Sequence, residues 1–532
     1  MEMKTSISSV AGYRKHPYTV LLALCLAAFT LFRYFYILKG PNGISFDEAQ
    51  YWQWSRHLDL SYYAKGPVIA YLIAFSTWLM GDTELGIRFF APILLALTSI
   101  YMYRLALLMF SDERTACASG LIIQIIPLFH AQGIVMTIDP PFIFFWTLSL
   151  YLFWKAACDG HHRSLIPGGG DCGETLDAPR TAYWLLLGLG IGLGLLTKYI
   201  MALFYMCAFL FLLTSKQRRH WLIRKEPYLA FLLSVAVFSP VIIWNMNHDW
   251  VSLKHTAGHA HVVDGLRISL KDFIEFIGSQ IGVITPLVFF AMIKGAVKNR
   301  ALRSASEAAD FLFWFWVPVL GFFLIKSLQG KVQANWAITA YITACIASAD
   351  FFLNRVVMKK WEKIYLVLAL CMAFSVTAIA HSPAIIDLPV KFDTTARLRG
   401  WKELGLKAGE VYQSMTSSTG RQVFVFSDTY VVSSELAFYM PGKPETYLAK
   451  LGSRRMNQYD IWGGFDKLLG YDALFVTTKE KYKDFPDRLR NAFDAFEQEK
   501  FTVMERGRVL RDYYIFRCYG FKGFDAAEFN KY

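Results

Sequence analysis

The sequence predicts a mainly α-helical, polytopic membrane protein with a soluble α/β domain at its carboxyl end, and three observations support this prediction. First, 55% of the 532 residues are hydrophobic, and the mean hydropathy is +0.32. Second, the apolar residues are gathered into runs of about 18 or more, whereas a soluble nucleic-acid-binding protein would disperse them at core spacing. Third, charged residues become far more frequent after residue 382. We therefore expect a membrane domain over residues 1–382 and a water-soluble domain over residues 383–532.

Apolar windows of about 20 residues predict about eleven membrane spans, with thirteen as the upper bound. The two windows beside Lys198 are short enough to form a broken or re-entrant pair. The stretch from Val68 to Met80 covers only about half a bilayer as a helix, so we expect it at the interface. The predicted spans lie at residues 18–38, 85–110, 115–134, 139–157, 182–197, 199–214, 228–245, 273–293, 309–327, 333–353 and 362–381.

The distribution of Lys and Arg predicts the orientation of these spans. The densest basic clusters before residue 382 lie at residues 216–225, 294–303 and 355–363. A cytoplasmic N-terminus places all three clusters inside, as the positive-inside rule requires. An odd number of spans then places the α/β domain outside; in a Gram-negative cell the protein would lie in the inner membrane with this domain in the periplasm. We interpret the first apolar run as a retained span, because it is too long for a signal peptide.

Two adjacent acids follow the first span, in an outward loop predicted over residues 39–84. Asp47 and Glu48 lie between Phe46 and the aromatic pair Tyr51 and Trp52. Burial at the membrane surface raises the pKa of a carboxylic acid and favours a general-base role. The alternative is an interfacial loop that aromatic residues anchor and whose acids are solvated.

Two cations, Lys65 and Lys198, and one further acid, Asp139, map to the same membrane face as Asp47 and Glu48. Lys65, in Tyr62-Tyr63-Ala64-Lys65-Gly66-Pro67, is a compact charge suited to a phosphate, or else an ordinary snorkelling residue. Arg88, near the start of the next span, and Lys198 are further cations. Asp139 precedes Pro140, which is also typical of a helix start. Their shared face would bring two acids and a phosphate-binding cation together.

The cysteines and histidines offer little evidence for a metal site. The eight cysteines show neither a disulfide framework nor a CxxC spacing. His255, His259 and His261 have a spacing that could hold Zn²⁺ on a helix or tight turn, but such residues are more often hydrogen-bonding loop histidines. A divalent metal is therefore a weak hypothesis, and no cofactor is certain.

Five short motifs together resemble the GT-C membrane glycosyltransferases. The resemblance is greatest to the dolichyl-phosphate-mannose protein mannosyltransferase family and its bacterial relatives, the lipid A aminoarabinose transferases. It covers most of residues 18–382 in order, and the tail around Glu435 resembles the extracytoplasmic domain of the bacterial members. The motifs are Asp-Glu-x-x-Tyr at 47–51, Tyr-x-Lys-x-Pro at 63–67, Asp-Pro at 139–140, Leu-Thr-Lys at 196–198 and Asn-Trp at 335–336.

The resemblance implies transfer of one sugar, with inversion, from a polyprenyl monophosphate to an extracytoplasmic acceptor. Lipid A, another envelope glycan and a protein hydroxyl are all acceptors open to the family, and no nucleic acid is involved. By matching position, Asp47 would be the principal catalytic residue, with Glu48 supporting it and Asp139 orienting a substrate. Metal-binding relatives carry an acid directly before the lysine, where this chain has Ala64, so a metal there is doubtful.

Binding of the donor would require positively charged side chains and also a pocket. Lys65, with Arg88 or Lys198, would stabilise charge on the leaving phosphate. Tyr51 and Tyr62 are the predicted donor-pocket residues.

A polytopic transporter or flippase for a lipid-linked sugar is the alternative from another functional class. A transporter concentrates ionisable groups near the middle of its spans. Here the candidates lie at span ends, and the nearest exceptions are Arg33, Asp310 and Asp350. An inactive scaffold of the same fold is a third interpretation.

The soluble tail predicts a small α/β domain. Alternating apolar residues predict strands at 422–426 and 473–477, and helical patterns follow at 431–439 and 488–498. A final strand pair is expected at 502–509 and 512–517. The tail contains no GxGxxG, P-loop or GxSxG motif, so it predicts neither a nucleotide site nor an acyl site.

Overall fold

A computed structural model describes residues 16–158, 180–259, 268–301, 303, 306–381, 389–390, 393, 395–451, 454–480 and 487–524. The helices before residue 382 are α1 (Pro17–Lys39), α2 (Phe46–Arg56), α3 (Val68–Met80), α4 (Glu84–Arg88), α5 (Phe90–Phe110), α6 (Glu113–Ile125), α7 (Pro127–Gln132), α8 (Asp139–Ala157), α9 (Arg180–Thr197), α10 (Leu203–Thr214), α11 (Glu226–Met246), α12 (Val251–His259), α13 (Leu270–Ile284), α14 (Pro286–Arg300), α15 (Glu307–Gln329), α16 (Ile338–Asp350) and α17 (Lys360–His381). The later elements are helices α18 (Trp401–Thr419), α19 (Tyr430–Tyr439), α20 (Gln458–Trp462) and α21 (Asp487–Ala492), and strands β1 (Val423–Ser427), β2 (Thr446–Leu448), β3 (Asp472–Thr477), β4 (Ala495–Glu505) and β5 (Arg508–Tyr519).

Seven helical segments in the described ranges are long and apolar enough to cross a bilayer, or up to eight if one bent pair is a single span. The prediction of about eleven spans also counts shorter helices and remains a prediction. The seven segments are Pro17–Lys39, Glu84–Phe110, Arg180–Thr197, Glu226–Met246, Glu307–Gln329, Ala334–Arg355 and Lys360–His381.

The uniform hydropathy of residues 273–293 predicted a single span, but these residues do not form one straight helix. The chain bends by 100° between α13 and α14. Thr285 occupies the bend with a φ of +74°, and Pro286 begins the next helix. Proline has no N–H to continue α13 but is well suited to the first position of a new helix, so the break occurs there.

A second break lies at Lys198, where the sequence predicted a broken or re-entrant pair. Helix α9 ends at Thr197, Lys198 is extended, and a 3-10 turn at Tyr199–Ala202 leads into α10. This extended residue separates two apolar helices. The predicted interfacial segment forms α3 with the same bounds. The membrane depth of α3 remains a prediction.

The tail folds around a five-stranded sheet with the order β2-β1-β3-β5-β4. Strand β1 is parallel to β2 and β3, whereas β5 is antiparallel to β3 and β4. The helix predicted at 488–498 was half wrong, because α21 ends at Ala492 and β4 begins at Ala495. Strand β4 pairs with β5 from Ala495 opposite Tyr519 onwards, and this long ladder overrides the local helical pattern.

The α/β part packs directly against the loop that follows α1. The Tyr439 hydroxyl on α19 accepts a hydrogen bond from Ile44 N at 2.9 Å and donates one to Glu84 at 2.9 Å. Gln53 on α2 donates to Thr446 Oγ1 at 2.9 Å. Apolar residues of α2, α3 and α19 share one buried cluster. The predicted domain boundary at 382/383 lies outside the described residues, and the division into two domains remains a prediction.

Candidate functional site

Helix α2 begins with a capping box that fixes the orientation of its two acids. Ser45 Oγ accepts from Glu48 N at 3.3 Å, and the Glu48 carboxylate accepts from Ser45 N at 2.8 Å. This reciprocal pair satisfies two of the free N–H groups of the helix start. It turns Glu48 inward and leaves Asp47 in the first turn, where the helix dipole favours a negative charge.

The Asp47 carboxylate is half-buried, and both positively and negatively charged groups act on it. Burial raises the pKa of Asp47 to about 6, while the positive charges of Lys65 and Arg397 lower it. Among the described residues, its carboxylate forms no hydrogen bond and no salt bridge. Asp47 is therefore an acid whose oxygens are free to accept a proton.

Glu48 behaves quite differently, because Arg88 holds it in a fully buried ion pair. Arg88 Nε and Nη2 donate to its two carboxylate oxygens at 2.7 Å and 2.8 Å, and Met136 N donates at 2.9 Å. Arg88 Nη2 also donates to the carbonyl oxygen of Gly43 at 2.8 Å. The pair thus joins the start of α2 and the end of α4 to the turn before α8.

A second ion pair, between Asp139 and Lys198, lies deep in the helical part. Lys198 Nζ is 2.7 Å from Asp139 Oδ1, and both side chains are buried. The Asn335 amide donates to the other oxygen of Asp139. Asp139 is the first residue of α8, Lys198 lies in the break after α9, and Asn335 lies just before α16. Three distant segments therefore meet at this carboxylate.

Lys65 lies in a turn that is closed by a hydrogen bond from Tyr62 N to Lys65 O at 3.1 Å. Burial and the neighbouring charge of Lys198 lower the pKa of Lys65 to about 8, while Asp139 and Asp47 raise it. Its ammonium group forms no salt bridge within the described ranges. A Cβ on the next residue, Gly66, would lie 1.9 Å from the carbonyl oxygen of Leu196, so only glycine lets this turn pass so close to α9.

Lys65 and Lys198 border a cavity of about 340 Å³. Four of its lining residues are lysines, none of the described lining residues is acidic, and apolar side chains form much of the wall. The lysines are Lys65, Lys198, Lys326 and Lys331, and the apolar residues include Leu203, Phe322, Phe323, Val332 and Trp336. A ligand with an anionic head and an apolar body matches this lining.

The two predicted donor-pocket tyrosines have different surroundings. Tyr51 is buried with its ring 5.0 Å from that of Trp54. Burial raises its pKa well above the usual value, as do the charges of Asp47 and Asp139, so its hydroxyl remains a donor near both acids. Tyr62 stacks on Trp54 at 4.5 Å, and its hydroxyl lies 3.0 Å from the carbonyl oxygens of Trp54 and His57. Tyr62 is not among the lining residues of the cavity.

Of the three histidines considered as metal ligands, only His255 has a described side chain. His255 lines the cavity and its ring centroid is 4.6 Å from that of Tyr63. The side chain of His259 and all of His261 lie outside the described residues. Among the residues that the structure describes, no group of three His, Cys, Asp or Glu could hold a metal ion.

Several residues at the site were not predicted from the sequence. Asn335 was noticed only as part of a motif, and the contribution of Lys326 and Lys331 to the cavity was missed, although Lys331 lies between two predicted spans and Lys326 and Asn335 lie near their ends. Arg397 and Tyr430 come from the α/β part; the charge of Arg397 lowers the pKa of Asp47, and the charge of Asp47 raises the pKa of Tyr430. No local pattern marks them, because only tertiary packing brings them to the site: α19 carries Tyr430 against α2, and a 3-10 turn near Gly43 carries Arg397.

The sequence of this chain is similar to those of several known proteins. The family model described as dolichyl-phosphate-mannose-protein mannosyltransferase matches residues 64–168 and 174–244. A lipid A galacturonosyltransferase of Rhizobium johnstonii is 28% identical over 325 residues, which are 61% of this chain and 63% of the relative. An undecaprenyl phosphate-α-4-amino-4-deoxy-L-arabinose arabinosyl transferase of Photorhabdus laumondii is 26% identical over 61% of this chain and 57% of the relative. The matched segment thus spans less than two thirds of the length of either relative.

Solved structures share the fold over nearly the whole chain. The crystal structure of ArnT from Cupriavidus metallidurans in the apo state has a TM-score of 0.61 at 14% identity, and the match covers 94% of this chain and 98% of that one. The Archaeoglobus fulgidus oligosaccharyltransferase has a TM-score of 0.53 at 13% identity and covers 88% of this chain and 70% of that one. These likenesses confirm the predicted fold class, a helical membrane bundle followed by a small α/β part. The chain is an integral membrane protein that shares the fold of these membrane transferases, and part of it matches the dolichyl-phosphate-mannose-protein mannosyltransferase family model.

Proposed function

We propose that the protein is an inverting glycosyltransferase that moves a single sugar from a polyprenyl monophosphate to an extracytoplasmic acceptor. The observation that carries this proposal is the proximity of an unpaired carboxylate, Asp47, to a lysine-rich cavity with apolar walls. A soluble sugar-nucleotide enzyme has no need for such walls. A lipid-linked phosphate requires both features, an anion site and an apolar surface.

Lys65 is proposed as the main ligand of the carrier phosphate. It faces the cavity without a salt-bridge partner in the described ranges, and Lys198 adds a second positive charge although Asp139 partly neutralises it. Cations placed where the leaving phosphate develops charge stabilise the transition state. One solved structure that shares the fold is the Cupriavidus metallidurans enzyme bound to undecaprenyl phosphate, and this supports the choice of ligand.

Asp47 is proposed as the catalytic base. With a pKa of about 6 it is mostly ionised at neutral pH, yet basic enough to take a proton from an acceptor hydroxyl. Attack by this hydroxyl on the face opposite the phosphate would invert the anomeric carbon. Asp139 is proposed as an orienting residue, because Lys198 and Asn335 already occupy its oxygens.

For Glu48 and Arg88 the geometry favours positioning roles over the catalytic and phosphate-binding roles that the sequence suggested. Each is buried, and each uses its hydrogen-bonding atoms on the other and on nearby backbone. We propose that the pair sets the direction of Asp47 by fixing the start of α2. Tyr62 is likewise proposed to support the Lys65 turn, leaving Tyr51 as the donor-side tyrosine.

The four lysines also bear on the transferred sugar. An amino sugar would add positive charge to a cavity that already contains four lysines, whereas a sugar carboxylate would complement them. One relative is named for an acidic sugar, galacturonate, and others for an amino sugar. We propose a hexuronic acid as the transferred sugar and lipid A or another envelope glycan as the acceptor, with a protein hydroxyl as the remaining alternative.

A transporter receives no support from the comparisons or from the charges that had kept this alternative open. Arg33 donates to the Gln124 side chain at 2.6 Å. Asp310 pairs with Arg303 at 2.7 Å, and Asp350 with Arg355 at 2.5 Å. The Arg33 contact joins α1 to α6, whereas Asp310 and Asp350 lie at helix ends and pair with arginines seven and five positions away in the chain.

The proposed activity can be tested with purified protein, a labelled polyprenyl-phosphate hexuronic acid and a lipid A acceptor. We expect transfer by the wild type and a loss of at least about 100-fold in Asp47→Asn, because general-base catalysis contributes on this order. Donor binding should persist in the variant, which shows that it is folded. The exposed Asp466 provides the control, and Asp466→Asn should retain full transfer.

Undiminished transfer by Asp47→Asn would contradict the role of Asp47. The sugar is tested separately by replacing the donor with a polyprenyl-phosphate amino sugar. Faster transfer of the amino sugar than of the hexuronic acid would overturn the assignment of the sugar and leave the reaction class intact.

A further inference from the structure

The α/β part brings two side chains to the neighbourhood of Asp47. A 3-10 turn at Ala396–Leu398 passes over the segment before α2, and a Cβ on Gly43 would lie 3.0 Å from the carbonyl oxygen of Leu398. Tyr430, the first residue of α19, has its ring edge-on to that of Phe46 at 6.1 Å. Ser434, one turn later, donates to the carbonyl oxygen of Phe46 at 3.3 Å. Asp47 therefore lies at the junction between the two parts of the chain.

Two arginines lie in or beside this turn, and they differ in whether their side chains are paired within the described residues. Arg399 is anchored by Asp393 at 2.6 Å and Glu505 at 2.9 Å, and it also donates to Thr395 Oγ1 at 2.7 Å. Arg397 is exposed, and within the described ranges its guanidinium forms no hydrogen bond or salt bridge. Its backbone is nevertheless held, because Trp401 Nε1 donates to Arg397 O at 2.9 Å. Arg397 is thus an unpaired cation on a fixed support.

The charge of Arg397 acts on Asp47 together with that of Lys65. Lys65 faces the lysine-lined cavity, where the donor phosphate is proposed to bind. Arg397 is not among the residues that line this cavity. A catalytic base needs the acceptor hydroxyl within hydrogen-bonding distance, so the acceptor must approach the same carboxylate. The group that approaches from the α/β side meets Arg397.

The chemistry of the two side chains indicates what they can hold. A guanidinium presents paired N–H donors that match a phosphate or a carboxylate. Burial raises the pKa of Tyr430, as does the charge of Asp47, so its hydroxyl remains protonated and can donate a hydrogen bond. A neutral acceptor would leave Arg397 without a function at this position.

We propose that Arg397 and the Tyr430 hydroxyl form an acceptor site for an anionic group, a phosphate or a carboxylate, that lies close to the oxygen glycosylated at Asp47. The inference rests on the proposed function and narrows it. It selects anionic glycans and glycolipids as the acceptor class over neutral glycans and serine or threonine hydroxyls. It also assigns the α/β part a direct role in acceptor recognition.

The test compares a phosphorylated lipid A acceptor with the same glycolipid after its phosphates have been removed. We expect Arg397→Gln to raise the KM for the phosphorylated acceptor by roughly tenfold to a hundredfold, the range for one lost charge-assisted hydrogen bond. The KM for the donor should not change, and Arg397→Lys should recover part of the loss. The exposed Lys402, five residues further along, provides the control, and Lys402→Gln should match the wild type.

The dephosphorylated acceptor should be poor for the wild type and no poorer for Arg397→Gln. Equal KM values of the two proteins for the phosphorylated acceptor would overturn the inference, and so would equal use of both acceptors by the wild type. Direct binding of the phosphorylated acceptor is measured in parallel, so that the site can be judged even without turnover. Binding that is lost in Arg397→Gln supports the site even if no transfer occurs, in which case only the proposed function fails.

Discussion

At the scale of single residues, two aspartates near one cavity differ because of their neighbours. Asp139 has a lysine ammonium and an amide on its two oxygens, whereas Asp47 has positive charges nearby and no bonded partner in the described part of the chain. A bonded carboxylate is held in one orientation, while an unbonded, partly buried one can exchange a proton. The proposed difference in role between the two aspartates therefore rests on their environments and not on residue type.

The raised pKa of Asp47 leads to a prediction about pH. Because the base must be ionised, kcat/KM for the donor should fall as the pH drops below about 6. Lys65 lowers the pKa of Asp47, so Lys65→Gln should raise it further and move this fall to higher pH. The measurement is a pH profile of transfer for both proteins, with Lys402→Gln as the charge-matched control. A profile that stays flat down to about pH 4, the usual value for aspartate, would contradict the assignment.

The sequence predicted Asp47, Lys65, Asp139 and Lys198 as site residues, because acids and cations beside apolar runs stand out against their surroundings; their roles remain predictions. It did not identify which acid pairs with which cation. Glu48 and Arg88 are separated by a loop and two helices, so their pairing follows from the tertiary fold alone. Arg397 lies further still along the chain and has the appearance of an ordinary surface residue.

At the scale of elements, the Glu48–Arg88 pair connects the start of α2 to its surroundings. Removing one partner leaves the other charge buried and unpaired, which typically costs about 3–5 kcal/mol. We expect Glu48→Gln and Arg88→Gln each to lower the free energy of unfolding by about this amount, and the double variant Glu48→Gln/Arg88→Met to lose less than the sum. Denaturation of the purified proteins measures this. An Arg88→Gln protein of wild-type stability but weak donor binding would instead favour a phosphate role for Arg88.

The turn at Lys65 depends on a close approach between two backbone segments. A side chain on Gly66 would collide with the carbonyl oxygen of Leu196 on α9, so Gly66→Ala must displace the turn. We expect a marked rise in the KM for the donor, since Lys65 moves with the turn. The matched control is Gly278→Ala in α13, where an added Cβ meets nothing within 4 Å. Unchanged donor affinity in Gly66→Ala would show that the turn tolerates the displacement or that Lys65 does not bind the donor.

The bounds of α3, the break at Lys198 and strands β1 and β3 were predictable because hydrophobic pattern and turn residues agree there. The bend at Thr285 was missed because hydropathy windows average over it. Strand β4 was missed in part because its pairing with β5, and not its own pattern, determines its conformation. The sequence thus predicted the elements whose own residues determine their conformation, and not those that depend on tertiary contacts.

At the scale of the whole molecule, the contacts between α2 and α19 require the candidate site and the α/β part to lie on one side of the membrane. The chain carries 55 Lys and Arg against 42 Asp and Glu. The basic clusters at residues 216–225, 294–303 and 355–363 are predicted to lie on the opposite, cytoplasmic side of the membrane. The formal charge of +13 is therefore chiefly a signal of orientation.

This orientation leads to the last prediction, which a membrane-impermeant thiol reagent can test on intact cells. Lys402 and Lys298 are both exposed, the first in α18 of the α/β part and the second in one of the basic clusters. In a variant without its native cysteines, we expect Lys402→Cys to be labelled from outside the inner membrane and Lys298→Cys to be labelled only after the cells are permeabilised. Labelling in the reverse order would place the site in the cytoplasm, where a carrier that presents its sugar to the periplasm could not reach Asp47. The positive-inside clusters and the proposed reaction would then be in conflict, so a single labelling experiment tests them together.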